Sequence, residues 1–114
     1  MTIARWVPHN RNSAPARAQV MAHRGASAAE RENTTVAFTR ARELNSDAVE
    51  LDVRLCASGE MIVHHNPTLA NGKVLGTLNI ADIPDHIPTL ADALDACAGM
   101  WVNIEIKNDP SEPD

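Results

Sequence analysis

A chain of 114 residues with a net charge of −5 holds one domain at most, and its 44% hydrophobic content allows only a modest core. Aromatic residues make up 3%, too few for a platform that stacks single-stranded bases, and the acidic balance excludes a broad basic surface for duplex phosphates, so no nucleic-acid partner is expected. Cys56 and Cys97 stand far apart in no metal-like or redox spacing, and neither a membrane-length apolar stretch nor a signal-peptide core is visible. A cytoplasmic protein without stable membrane insertion is expected.

Residues 1–18 read as a flexible arm, because Pro8, Asn10, Asn12, Ser13 and Pro15 interrupt any periodicity. A first strand is expected from Gln19 to His23, followed by a loop from Arg24 to Asn33. A helix then runs from Thr34 to Leu44, with Ala37, Phe38, Ala41 and Leu44 on one side and Asn33 or Thr34 as its cap. The second strand, Val49 to Leu55, alternates throughout. Val49, Leu51, Val53 and Leu55 take one face, and Glu50, Asp52 and Arg54 take the other.

Beyond the turn at Ser58-Gly59-Glu60, a short apolar strand, Met61 to His65, runs into two histidines. The stretch from Thr68 to His86 has few periodic signals and reads as a long irregular insertion. A second helix starts at Thr89, with Asp92 in the capping-box position and a stripe of Leu90, Ala93, Leu94 and Cys97, and Gly99 stops it. The third strand, Met100 to Lys107, sets Val102, Ile104 and Ile106 against Asn103, Glu105 and Lys107. Residues 109–114 form a polar end, which leaves 19–108 as the domain.

Alternating strands and helices predict an α/β fold with a parallel sheet. Polar faces on two strands suit a doubly wound sheet poorly, because helices cover both of its sides. They suit a barrel, whose inner face opens towards the C-terminal strand ends. Glu50 and Asp52 leave the same face two residues apart. A solvated strand with Arg54 as a salt partner accounts for that pair alone, but Glu105 on another strand makes three carboxylates for a hard divalent cation, Mg²⁺ or Ca²⁺. His23-Arg24-Gly25 lies where a strand becomes a loop. Arg24 can fork onto phosphate oxygens, and Gly25 permits close backbone approach. His64 and His65 cannot both face inward. One of them with His23 could supply a general acid and a general base.

The set Ala22-His23-Arg24-Gly25, Glu32-Asn33-Thr34, Glu50-Leu51-Asp52-Val53, Val63-His64-His65-Asn66-Pro67-Thr68-Leu69, Ile87-Pro88-Thr89-Leu90 and Ile104-Glu105-Ile106-Lys107 resembles the glycerophosphodiester phosphodiesterase family in order and spacing. The resemblance implies a (β/α)₈ TIM barrel that hydrolyses small-molecule glycerophosphodiesters to an alcohol and sn-glycerol 3-phosphate with a divalent metal. It implies His23 and His65 as the acid/base pair, Arg24 and Lys107 at the substrate phosphate, Glu50, Asp52 and Glu105 on the metal, and Glu32 and Asn33 in support. The insertion after His65 matches one over the family's active-site mouth.

Three departures stand out. Asn66 replaces the usual Asp after the second histidine, which removes a carboxylate beside His65, and Arg31 replaces the usual Pro before Glu32. The third is length, since eight strands need roughly 200 or more residues. The expected fold is therefore a barrel truncated to about the first three β/α units, plus the short hairpin-like strand and the insertion. Its third strand is expected to present an open edge through which chains could self-associate. Two rival readings are a non-catalytic half-barrel remnant that binds metal or a partner chain, and a phospholipase D-like enzyme acting on lysophospholipids.

Overall fold

Strand alternation and helix capping together set the layers of the fold. The computed structural model describes residues 2–4 and 18–107. In chain order the elements are β1 (Thr2–Ala4), β2 (Met21–His23), α1 (Thr35–Glu43), β3 (Ala48–Leu55) and β4 (Met61–Val63). Two 3₁₀ turns follow, Leu75–Thr77 and Ile80–Asp82, and then α2 (Leu90–Ala96) and β5 (Trp101–Ile106). The sheet order is β1-β5-β3-β2, with β4 paired to β3 off that path. β2, β3 and β5 are mutually parallel, as the crossovers through α1 and α2 require.

The apolar faces of these strands meet the helices. Val49, Leu51 and Val53 pack with Phe38 and Ala41 of α1 and with Ala93 and Cys97 around α2, and Ala22, Val102 and Ile104 lie against that cluster. Thr34, not Asn33, caps α1, its hydroxyl accepting from the Ala37 N–H at 3.1 Å. Thr89 caps α2 in the same way, accepting from the Asp92 N–H at 3.2 Å. Gly25 takes a φ of +81° and lies so close to α1 that an added Cβ would sit 2.8 Å from the Ala37 carbonyl carbon. The close approach that Gly25 permits is therefore to the helix.

The stretch from 68 to 86 has no periodicity, but it is packed. Leu69, Leu75, Ile83 and Ile87 bury against Cys56 and Ile62 in a second apolar cluster. Its order comes from side-chain burial around short turns, which leaves no helix or strand period to read. β4 is antiparallel to β3 and ends at Val63, two residues before the expected end, with a last bond in the β3 register from the His64 N–H to the Asp52 carbonyl.

Two expectations about the N-terminus and the sheet edge are corrected. Thr2–Ala4 is a strand paired antiparallel with β5, in the register Thr2↔Glu105, Ile3↔Ile104 and Ala4↔Asn103. A flexible arm does not describe those residues, and residues 5–17 lie outside the described part. Over Asn103–Glu105 the β5 edge is accordingly covered by β1 and not open. β2 takes the other end of the sheet order. The polar end at 109–114 lies outside the described residues. Among the described residues no helix is long and apolar enough to cross a membrane.

Candidate active site

Parallel register gathers the polar face. His23 of β2 aligns with Glu50 of β3, Glu50 with Asn103 of β5, and Asp52 with Glu105. Glu50, Asp52 and Glu105 each offer a carboxylate oxygen, and these atoms all lie within 4.8 Å of one another. Glu50 is 7% exposed and Asp52 1%. Burial first, then the negative charges of Asp52 and Glu105, pushes the Glu50 carboxyl up to about 7. Both Glu50 side-chain oxygens are buried with no hydrogen-bond partner among the described residues. Orphaned buried oxygens beside two further carboxylates form an all-oxygen donor set of the kind Mg²⁺ and Ca²⁺ take, so these three residues could hold such an ion.

The loop from Arg24 to Asn33 braces that cluster. Arg24 (φ 59°) and Asn33 (φ 55°) both adopt left-handed backbone, a conformation that costs roughly 1–2 kcal/mol for a residue with a Cβ. Backbone bonds close the loop, with the Arg24 N–H donating to the Glu50 carbonyl at 2.8 Å and the Asn33 N–H to the Arg24 carbonyl at 2.9 Å. Asn33 Nδ2 donates to Asp52 Oδ2 at 3.0 Å, a job open to it because Thr34 does the capping. Arg24 Nη1 donates to both Glu32 oxygens, at 3.1 and 3.3 Å, and its Nε lies 3.5 Å from Asp52 Oδ2. His23 Nε2 is 3.4 Å from Glu50 Oε2 with its side chain 67% exposed, and Lys107 Nζ is 3.0 Å from Glu105 Oε1.

His65 stands two residues beyond β4, held by two residues to which the family pattern gave no supporting part. Arg54 is buried on the polar face of β3 and donates from Nε at 2.9 Å and Nη2 at 2.6 Å to the His65 carbonyl. Its fork fixes the histidine backbone, a part its place beside Glu50 and Asp52 did not suggest. Asn66 Oδ1 lies 2.8 Å from His65 Nδ1 and takes the place of the missing carboxylate. An amide oxygen can only accept, so the contact selects the form in which Nδ1 donates. His64 donates from Nδ1 to the Asn66 carbonyl at 2.7 Å. Asn103, whose Oδ1 is buried without a partner among the described residues, also belongs to this face. Its position two residues before Glu105 was the available signal.

The glycerophosphoryl diester phosphodiesterase family profile matches residues 23–114. The chain belongs to that family. A glycerophosphodiester phosphodiesterase of Caldanaerobacter subterraneus is 50% identical over 109 aligned residues, covering 78% of this chain and 45% of the relative. One from Bacillus subtilis is 35% identical over 89 residues, covering 78% and 28%. Among solved structures, an Oleispira antarctica phosphodiesterase in complex with the product sn-glycerol-3-phosphate superposes with a TM-score of 0.77 at 27% identity, covering 81% of this chain and 45% of that one. A Thermotoga maritima glycerophosphodiester phosphodiesterase gives 0.75 at 30% identity, covering 82% and 46%. The chain thus spans less than half the length of these relatives, and its α/β sheet corresponds to part of a TIM barrel.

Proposed function

We propose that this chain carries the metal-binding and acid/base residues of a cytoplasmic phosphodiesterase that hydrolyses glycerophosphodiesters to an alcohol and sn-glycerol 3-phosphate. One observation carries the reading. The buried Glu50 carboxylate, whose oxygens have no hydrogen-bond partner among the described residues, sits with Asp52 and Glu105 in a cation-sized group, and His23 lies beside it. Glu50, Asp52 and Glu105 would hold a divalent cation, Mg²⁺ or Ca²⁺, which polarises phosphoryl oxygens and offsets charge developing on them.

The rest is the work of the side chains. One imidazole of the His23–His65 pair accepts a proton from the attacking water as the new P–O bond forms. The other gives a proton to the departing alkoxide as the old P–O bond breaks. His65 accepts at Nε2 when its ring is neutral and donates from Nε2 when its ring is protonated, and Asn66 and Arg54 hold it in place for either role. Arg24 and Lys107 bring positive charge to the phosphate. Glu32 and Asn33 keep Arg24 and Asp52 in register.

The test incubates the 114-residue chain with glycerophosphocholine and Mg²⁺ or Ca²⁺ and measures glycerol 3-phosphate release. His23→Ala is expected to abolish release while calorimetry finds the metal affinity within about twofold of the unmodified chain. Absence of turnover by the unmodified chain at saturating metal refutes the enzymatic reading and leaves a metal-binding protein. Choline release from lysophosphatidylcholine, with none from glycerophosphocholine, moves the substrate to lysophospholipids.

A further inference from the structure

A cavity of about 360 Å³ opens beside His65, lined by Arg31, Glu32, Asn33, His64, His65, Asn66 and the insertion around His86. Its volume lies in the range of small-molecule sites. The phosphodiesterase reading seats the bridging phosphate over Glu50, Asp52 and Glu105. A histidine that protonates the leaving alcohol must touch that alcohol's oxygen. With His65 in that role, the group beyond the oxygen lies next to His65, where this cavity opens.

Its chemistry is one-sided. Arg31, His64 and His86 come from three separate segments, and among the described residues neither Arg31 nor His86 forms an ion pair. The lining carboxylate, Glu32, is already committed to Arg24 at 3.1 Å. Partial burial, then the positive charges of Arg31 and His64, draws the His86 imidazole below its ordinary value. Such mutual repulsion is relieved when an anion enters. A cationic ammonium group has no recognition here. The lining holds no aromatic face to cage it, and the chain's single Phe, Phe38, is fully buried in the core.

We infer that the cavity formed by Arg31, His64 and His86 beside His65 receives the leaving alcohol and favours one bearing an anionic group, a carboxylate or a phosphate. This rests on the phosphodiesterase reading and adds the class of substrate. Arg31 is the principal discriminating residue, because its guanidinium keeps its charge at any working pH and forks onto two oxygens.

The experiment compares kcat/KM for glycerophosphodiesters of three alcohols of similar size: glycolate (anionic), ethylene glycol (neutral) and choline (cationic). The glycolate diester is expected to exceed the choline diester by roughly fivefold or more, with ethylene glycol between them. Arg31→Ala with His86→Ala should bring that ratio close to one, and Arg31→Glu should reverse it. Both positions are exposed, so neither change removes core packing. Equal ratios in the unmodified chain, or a ratio that survives both variants, overturn the assignment. If none of the three diesters turns over, the phosphodiesterase reading fails and the pocket is read directly. Titration of the glycolate diester should then shift the Arg31 Nε and His86 ring NMR signals, and their failure to move overturns the pocket as well.

Discussion

Holding Glu50 among carboxylates has a thermodynamic consequence that can be measured without substrate. Its carboxyl is raised from 4.5 to about 7 in the folded protein, first by burial and then by Asp52 and Glu105. A carboxyl whose folded value lies above its unfolded value binds more protons when folded. The metal-free fold therefore has its full contribution from this group below about pH 4.5 and loses it as pH rises towards 7. At 1.36 kcal/mol per unit, a gap of about 2.5 units sets a ceiling of about 3 kcal/mol, lower to the extent that Asp52 and Glu105 share the proton. The assay is urea denaturation in EDTA from pH 4.5 to 8, comparing the chain with Glu50→Gln. The unmodified chain should lose up to about 3 kcal/mol relative to the variant across that span. Added Ca²⁺ or Mg²⁺ should restore stability to the unmodified chain and much less to Glu50→Gln. At pH 6 metal uptake should release close to one proton, seen as a dependence of the calorimetric heat on buffer ionisation enthalpy. A difference between the two proteins that stays flat with pH, or that favours the unmodified chain as pH rises, refutes the reasoning.

The backbone and the histidine supports yield three further tests. Gly25→Ala places a Cβ 2.8 Å from Ala37 at positive φ, and urea denaturation should find a loss of about 3 kcal/mol or more. Gly59→Ala, at positive φ in open space, should cost only about 1 kcal/mol. Arg54→Met leaves the His65 carbonyl without its two guanidinium donors. It should lower kcat roughly tenfold to a hundredfold while KM and metal affinity hold, and Arg54→Lys, lacking the fork, should not rescue it. Asn66→Ala removes the acceptor at His65 Nδ1 and should lower kcat about tenfold, whereas Asn66→Asp, which keeps an acceptor there, should retain most of it.

The parts of this site that the sequence made legible share one property: they lie on strands whose alternation is complete. Glu50, Asp52 and Glu105 could be assigned to a common face because strand geometry has a period of two and parallel register brings the rows together. Arg54 obeys the same alternation, but its partner is a backbone carbonyl eleven residues away, and no spacing rule marks a carbonyl as an acceptor. Asn66 was visible only as a departure from the family pattern. That its amide oxygen serves in place of a carboxylate follows from a side-chain direction that sequence does not carry. The insertion was unreadable for a related reason. Leu69, Leu75, Ile83 and Ile87 are buried together, but their spacing fits neither a helix nor a strand. The pairing of β1 with β5 was lost behind the prolines and asparagines that follow Thr2–Ala4, because edge pairing depends on a vacant partner more than on a local pattern.

The two halves of the site differ in how far the fold holds them. Glu50 and Asp52 lie on the fully buried centre of β3, flanked by β2 and β5 and backed by the main apolar cluster, so the cost of gathering like charges is offset by packing on the opposite face. His23 is the last residue of a three-residue strand at the end of the sheet order, and its side chain is largely solvated. Electrostatic preorganisation is strong only where water is excluded. Metal affinity should therefore depend on the β3–β5 pairing, and turnover on whatever covers His23. A change that disturbs β5, such as Ile104→Ala under the carboxylate rows, should weaken the metal more than it lowers kcat at saturating metal. The opposite result would place the site's order in the loops rather than in the sheet.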